Sequence, residues 1–256
     1  MATFDSGGVD INYLDEGAGP PVVLVHGFAS SLQGNWRGPG IIDALTAAGR
    51  RAVALDCRGH GRSGKPHDPA AYDGTQMADD VTALMDHLGI DRADLVGYSM
   101  GAILSASLLV RRPERLRSTI LAGVGDMLLG GSMPRQRSEA IAAAMEAESG
   151  ADVADETARG FRVFARQSGN DLAALAAMQR ARRGGFDPAK LHAVALPVMV
   201  LVGELDSLVG SGARLAAAMP GAKLVTVPGD HLTAVAKPEF RQAILTFLAE
   251  ASPLAA

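Results

Sequence analysis

Gly97-Tyr98-Ser99-Met100-Gly101 constrains this chain more than any other stretch. The run before it, Ala93-Asp94-Leu95-Val96, is short and apolar and suits a central strand, while Ala102 to Leu109 continues as a helix. A turn this sharp between strand and helix brings the backbone two residues either side of its apex against neighbouring elements. A larger side chain there would collide, and glycine stands at both positions. The apex residue is lifted off the end of the strand, and here it is a serine. The segment therefore predicts an α/β architecture and a candidate nucleophile together.

The rest of the chain can be tested against that turn. Pro21 to His26 is a continuous apolar run for a buried strand, and Ile11-Asn12-Tyr13-Leu14 after Gly7-Gly8 suggests an opening hairpin. Arg51 to Asp56, Asp94 to Tyr98, Leu116 to Ala122, Val198 to Gly203 and Lys223 to Val227 repeat the strand pattern, with helical segments between most of them. Val81, Leu84, Met85 and Leu88 show the spacing of a helix packed on one face. Strands alternating with helices imply a parallel sheet covered on both faces. The alternation breaks between about Asp126 and Leu196. There Ile141 with Met145, Phe161 with Phe164 and Ala165, and Leu172 with Leu175 and Gln179 read as three helices separated by Gly150 and Gly169, with Arg182-Arg183-Gly184-Gly185 as the exit loop. The expected organisation is one core of residues 1–125 and 197–256 with a helical cap, a candidate lid, inserted over 126–196.

Composition narrows the class of function. A 256-residue chain with 48% apolar and 20% charged residues is ordinary globular material, and a net charge of -4 without a basic tract argues against nucleic acid. A single cysteine, Cys57, forms no intramolecular disulfide. The first residues lack the basic start and apolar core of a signal peptide, which points to the cytoplasm. No run approaches the length of a spanning helix, so no membrane role is expected, and no metal-ligand spacing links the histidines. The oligomeric state stays open, a homo-oligomer included.

A serine hydroxyl needs a histidine to take its proton and a carboxylate to orient that histidine. Val200 to Asp206 ends a strand in a glycine and a loop acid, and Val227-Pro228-Gly229-Asp230-His231 ends the next strand in a histidine. Ser99, Asp206 and His231 are the candidate triad, in the order Ser, Asp, His. Asp126, at the end of the preceding strand, is the competing acid; Glu204 and Asp230 read as loop or surface acids. The oxyanion formed on an attacked ester calls for donors already in place. Met100 N–H directly follows the nucleophile at a helix N-terminus, and Phe28 N–H follows Gly27 in the loop after the Pro21 strand. His26 reads as a structural hydrogen-bonder. Trp36, Met127 and Leu128 are candidate substrate contacts, although Trp36 could equally anchor its loop, and for Met127, Leu128, Leu129 and Met133 packing of the cap on the core is the favoured reading.

With these residues in hand, the chain resembles the α/β-hydrolase superfamily over nearly its whole length. The resemblance is carried by His26-Gly27-Phe28, Asp56-Cys57-Arg58-Gly59-His60-Gly61-Arg62-Ser63, Gly97 to Gly101, Gly203 to Asp206 and Gly229-Asp230-His231. It implies a largely parallel eight-stranded sheet, a helical cap after the sixth strand, and a serine hydrolase mechanism without a cofactor. It also implies that the Asp56 to Ser63 loop braces the nucleophile turn and does no chemistry. Haloalkane dehalogenases and epoxide hydrolases of this fold place an aspartate where this chain has Ser99. Carbon-carbon bond hydrolases often carry Gly-Asn-Ser-x-Gly-Gly where this chain has Gly-Tyr-Ser-Met-Gly-Ala. The expected activity is hydrolysis of small to medium acyl esters or lactones at an accessible site. A thioester, a carbon-carbon bond or a peracid reaction with the same triad remains open, as does a binding protein that holds a ligand with little turnover.

Overall fold

The computed structural model describes residues 2–130, 134–182 and 187–254. Eight strands, β1 (Ala2–Asp5), β2 (Asp10–Glu16), β3 (Pro21–Val25), β4 (Arg51–Leu55), β5 (Ala93–Tyr98), β6 (Leu116–Ala122), β7 (Val198–Gly203) and β8 (Lys223–Val227), form one sheet in the order β1-β2-β4-β3-β5-β6-β7-β8. β2 runs antiparallel to both β1 and β4, and every other pairing is parallel. The α-helices are α1 (Ile41–Ala47), α2 (Gln76–His87), α3 (Met100–Arg111), α4 (Arg135–Glu146), α5 (Glu156–Gln167), α6 (Leu172–Arg180), α7 (Ala213–Ala217) and α8 (Pro238–Ala251).

The continuous apolar runs are explained by cover on both faces. Successive strand residues point to opposite sides, and in β3 Val23 and Val25 join one apolar cluster while Val22 and Leu24 join another. Met77, Val81, Leu84 and Met85 of α2, with Ala102, Ala106 and Leu109 of α3, cover the first face. Ile41, Ile42 and Leu45 of α1, with Phe240, Ile244, Phe247 and Leu248 of α8, cover the second. With both faces occupied, no position along β5 is left for a polar residue to reach solvent, and all six of its residues are buried. Asp94, in that strand, is held by Ser118 Oγ at 2.8 Å and by the guanidinium groups of Arg50 and Arg117 at 3.2 Å.

Helices α4, α5 and α6 lie between β6 and β7, where the strand pattern lapses. Asp155 and Asp171 cap α5 and α6 through the Ala158 and Ala174 amides. Ile141, Ala142 and Met145 of α4 and Leu175 and Met178 of α6 continue the first apolar cluster, so the three helices share one core with the sheet. Met133 and the Arg183, Gly184 and Gly185 portion of the expected exit loop lie outside the described residues. Among the described residues no helix is long and apolar enough to cross a membrane.

The sheet order places a site. Chain direction across the sheet reverses between β3, which leads to β4 on one side, and β5 on the other. In an open α/β sheet the crevice beyond the carboxyl ends of such strands is where ligands bind.

Candidate active site

Ser99 follows β5 and is the residue before α3, with φ 52° and ψ −112°. A non-glycine residue at positive φ costs about 1–3 kcal/mol and persists only where its surroundings over-determine it. The flanking glycines show what does so. A Cβ on Gly97 would lie 2.3 Å from Gly101 O and 2.4 Å from Ser105 Oγ, and one on Gly101 would lie 2.0 Å from Val25 O. The Ser99 amide donates to Ala122 O at 2.8 Å and ties the turn to β6.

The loops after β7 and β8 bring the other two candidates to it. Ser99 Oγ lies 3.0 Å from His231 Nε2, and His231 Nδ1 lies 2.7 Å from Asp206 Oδ2. Asp206 Oδ1 accepts from Leu208 N at 3.1 Å, which fixes the carboxylate. Both side chains are nearly buried, at 9% exposure for His231 and 1% for Asp206. With Nδ1–H donating to the carboxylate, Nε2 presents its lone pair to the serine hydroxyl. Tyr98 steadies the histidine from behind: its hydroxyl donates to His231 O at 2.5 Å and its ring packs 5.8 Å from the imidazole. Burial, then the charges of Asp206 and Asp230, push the Tyr98 phenol well up, so it stays a neutral donor.

The competing acids have other work. Asp126 Oδ1 accepts from Arg214 N and Leu215 N, at 2.9 and 3.1 Å, and Oδ2 from Ser211 Oγ, so this carboxylate closes the first turn of α7. Asp230 folds onto its own turn through Leu232 N, Thr233 N and Thr233 Oγ1, and the Thr233 hydroxyl leads in holding it below the usual carboxylate range. Glu204 is exposed.

The loop after β3 is built from below by two buried side chains. His26 Nε2 accepts from Cys57 N at 2.9 Å, which leaves Nδ1–H to donate to Gly27 O at 2.8 Å. Burial, only partly offset by Asp56, lowers the His26 pKa and keeps the ring neutral in that tautomer. Asn35, in a short π-type turn over Gln33–Arg37, accepts from Gly27 N at 2.8 Å. Ala29, next after Phe28, is the other non-glycine residue at positive φ (59°) among the described residues. Neither Phe28 N–H nor Met100 N–H has a hydrogen-bond partner among the described residues. Two free amides beside Ser99, one of them at the N-terminus of α3, are what a developing oxyanion needs.

The bracing by the Asp56 to Ser63 loop is redirected relative to expectation. It runs to the loop after β3, through Cys57 N–H and through the His60 ring, 5.1 Å from His26 and 5.9 Å from Phe28. Arg58 in the same loop forks onto Asp80 of α2 at 2.7 Å. Cys57 is buried, and desolvation followed by Asp80 and Asp56 raises its thiol pKa far above the ordinary value, so it is no second nucleophile.

The expected substrate contacts are not where the cavity is. Trp36 is fully buried in the second apolar cluster and anchors its loop. Leu128 is buried in the first cluster and Met127 is half-buried, and neither lines the space above Ser99. That space is lined by Phe28, Phe161, Phe164, Leu232 and Val235 around Ser99 and His231. The rings of Phe28 and Phe161 meet edge to face at 5.6 Å. The space is open to solvent on one side, and Phe161 and Phe164 are only half-buried. The site is walled on one side by the aromatic rings of α5.

The comparisons with known proteins agree with this architecture. A family profile described as alpha/beta hydrolase fold matches residues 20–238. A hydrolase from Pseudomonas aeruginosa PA01 of known structure is 28% identical with a TM-score of 0.80, over 96% of this chain and 97% of that one. Epoxide hydrolase 3 from Siraitia grosvenorii is 33% identical over 118 residues, 46% of this chain and 36% of its own length. The 2-hydroxymuconate semialdehyde hydrolase of Pseudomonas sp. (strain CF600) is 36% identical over 118 residues, 45% of this chain and 40% of its own. The chain thus spans well under half the length of the curated relatives it matches.

Proposed function

Because the chain belongs to the alpha/beta hydrolase fold family, we propose that it is a serine hydrolase that cleaves small to medium carboxylic esters or lactones through an acyl-enzyme on Ser99. The observation that carries this reading is the continuous relay Ser99 Oγ, His231 Nε2, His231 Nδ1 and Asp206 Oδ2, with distances of 3.0 and 2.7 Å. Ser99 Oγ attacks the carbonyl carbon as its proton passes to His231 Nε2, and the carbonyl π pair moves to oxygen. Phe28 N–H and Met100 N–H meet that oxygen, each donor worth about 3 kcal/mol. The tetrahedral carbon then expels the alcohol oxygen, which takes the proton from His231. Water, deprotonated by the same imidazole, attacks the acyl carbon, and collapse returns Ser99 and a carboxylic acid. Asp206 holds the tautomer and stabilises the imidazolium at each stage.

The lining favours a neutral acyl group over one bearing a carboxylate. Apart from His231, the described residues lining the space are apolar or uncharged, with Ser30, Asn35, Tyr98 and Ser99 as polar members. A buried carboxylate without a cation to pair with is strongly disfavoured. This weighs against carbon-carbon cleavage of acidic substrates and toward plain esters and lactones. The rings of Phe161 and Phe164 form the apolar wall that the acyl group meets.

The test is hydrolysis of a p-nitrophenyl ester series from acetate to palmitate, beside Ser99→Ala and with fluorophosphonate labelling. Turnover with a maximum at short to medium acyl length, abolished together with labelling in the variant, is the expected result. A fluorophosphonate that leaves Ser99 unmodified would overturn the nucleophile assignment. Labelling without turnover of any ester would overturn the substrate class.

A further inference from the structure

The loop that carries Phe28 is held from above as well as from below. Asn170 lies between α5 and α6, and its place is set on both sides. Gly169 N–H donates to Arg166 O at 3.1 Å and Asn170 N–H to Ala165 O at 3.0 Å. This is the paired closure of a helix end that a left-handed glycine permits, and Gly169 has φ 68°. Asp171, next in the chain, caps α6.

From this fixed position the Asn170 side chain crosses to the core. Nδ2 donates to Ala29 O at 2.7 Å, with a longer approach to Ser30 O at 3.5 Å, and Oδ1 accepts from Gly61 N at 3.1 Å. A carbonyl on one side and an N–H on the other leave only one orientation of the amide. Its main partner is the strained residue directly after Phe28.

We propose that Asn170 is a positioning residue for the oxyanion hole: by holding Ala29 O it keeps Ala29 left-handed and fixes the adjoining Phe28 amide. The assignment rests on the serine hydrolase reading above. It also gives the α5–α6 arm a second task. The arm carries Phe161 and Phe164, whose rings line the space over Ser99. The arm touches the Phe28 loop twice, through the Asn170 amide and through the Phe161 ring on Phe28. The same arm therefore walls the substrate space and holds the Phe28 loop in place.

The experiment compares wild type, Ser99→Ala, Asn170→Ala and Asn170→Asp. It reads kcat and KM on a short p-nitrophenyl ester, the inhibition constant of a trifluoromethyl ketone, and the melting temperature. The ketone adds Ser99 Oγ to its carbonyl carbon, sends the serine proton to His231 and leaves an oxyanion in the same two-donor site, so it reports that site directly. Asn170→Ala is expected to lower kcat about 10- to 100-fold with KM changed less than about threefold, in keeping with a sub-ångström loss of donor alignment. The ketone's inhibition constant should rise by the same factor. Asn170→Asp keeps an acceptor for Gly61 N–H but offers Ala29 O no donor, and its loss should match that of the alanine variant. A wild-type-like Asn170→Asp, or a fall in kcat without a matching rise in the inhibition constant, overturns the proposal. Absence of turnover and of labelling already in the wild type overturns the serine hydrolase reading instead, and the two failures are distinct.

Discussion

Gly101→Ala isolates the steric argument behind the candidate site. The added Cβ would stand 2.0 Å from Val25 O, 2.6 Å from Val25 C and 2.8 Å from His26 O, all of them backbone atoms at the end of β3 that cannot swing aside. Ordinary contact begins near 3.4 Å, so the first turn of α3 must retreat from β3 by more than about 1 Å, a displacement on the scale that costs about 10²-fold in rate. That movement carries Met100 N–H away from Phe28 N–H and tilts Ser99 away from His231. A 10²-fold loss corresponds to about 2.7 kcal/mol of transition-state stabilisation, and overpacking costs about 1–3 kcal/mol of stability. For a chain of this size the melting temperature should fall by about 2–10 °C. Gly160→Ala is the matched control. It lies exposed inside α5 with nothing within 4 Å of a built Cβ, and alanine there favours the helix by about 0.8–1 kcal/mol. Ester turnover and calorimetric melting read both variants. A Gly101→Ala enzyme within threefold of wild-type kcat/KM, or a Gly160→Ala enzyme that loses activity alongside it, would refute the claim that close backbone packing of the turn sets the catalytic geometry.

Replacing the two candidate acids should give opposite outcomes: Asp206→Asn lowers kcat by about 10⁴-fold with little change in melting, while Asp126→Ala leaves kcat within twofold and loses about 1 kcal/mol of capping. Steady-state kinetics and denaturation of both variants check this. His26 makes stability depend on pH. Its folded pKa is lowered, chiefly by burial, so the unfolded chain takes up the proton first; the contribution is fully present above the ordinary histidine value of about 6.5 and is lost as pH falls from there through the folded value, with a slope of up to about 1.4 kcal/mol per unit. Urea titrations in this window should show a shallower slope for His26→Gln than for wild type, and equal slopes would refute it. Asp80→Asn leaves the Arg58 guanidinium, at 5% side-chain exposure, without its charge partner and should cost about 3–5 kcal/mol. The urea midpoint of the variant checks that figure.

How much of this was legible in the chain follows from what kind of force sets each feature. β3, β4 and β5 were readable nearly to the residue, because strands covered on both faces favour apolar side chains and leave runs such as Pro21-Val22-Val23-Leu24-Val25. The Ser99 turn was readable because backbone closeness excludes every residue but glycine at 97 and 101. Asp206 and His231 were readable from their place just beyond two strand ends. Asp126 was a fair competitor for the same reason, and only the tertiary contact with α7, at Arg214 N and Leu215 N, removes it.

The cavity lining was not legible, for a physical reason. Phe161 and Phe164 show the spacing of a helix face turned inward, and that spacing is identical whether the face meets packed core or the space above a nucleophile. Trp36 and Leu128 each carried a packing alternative beside the substrate-contact reading, and both sit in apolar clusters. Asn170 carried no pattern at all: an asparagine after a glycine at a helix end is what any helix stop looks like. Its partners, Ala29 and Gly61, lie 141 and 109 residues away in the chain. Periodicity reports which residues leave water, and glycine reports where backbones touch. Which side chain closes over the reacting atoms is decided by how the α5–α6 arm docks on the loop after β3, and that docking is written only in contacts between distant segments.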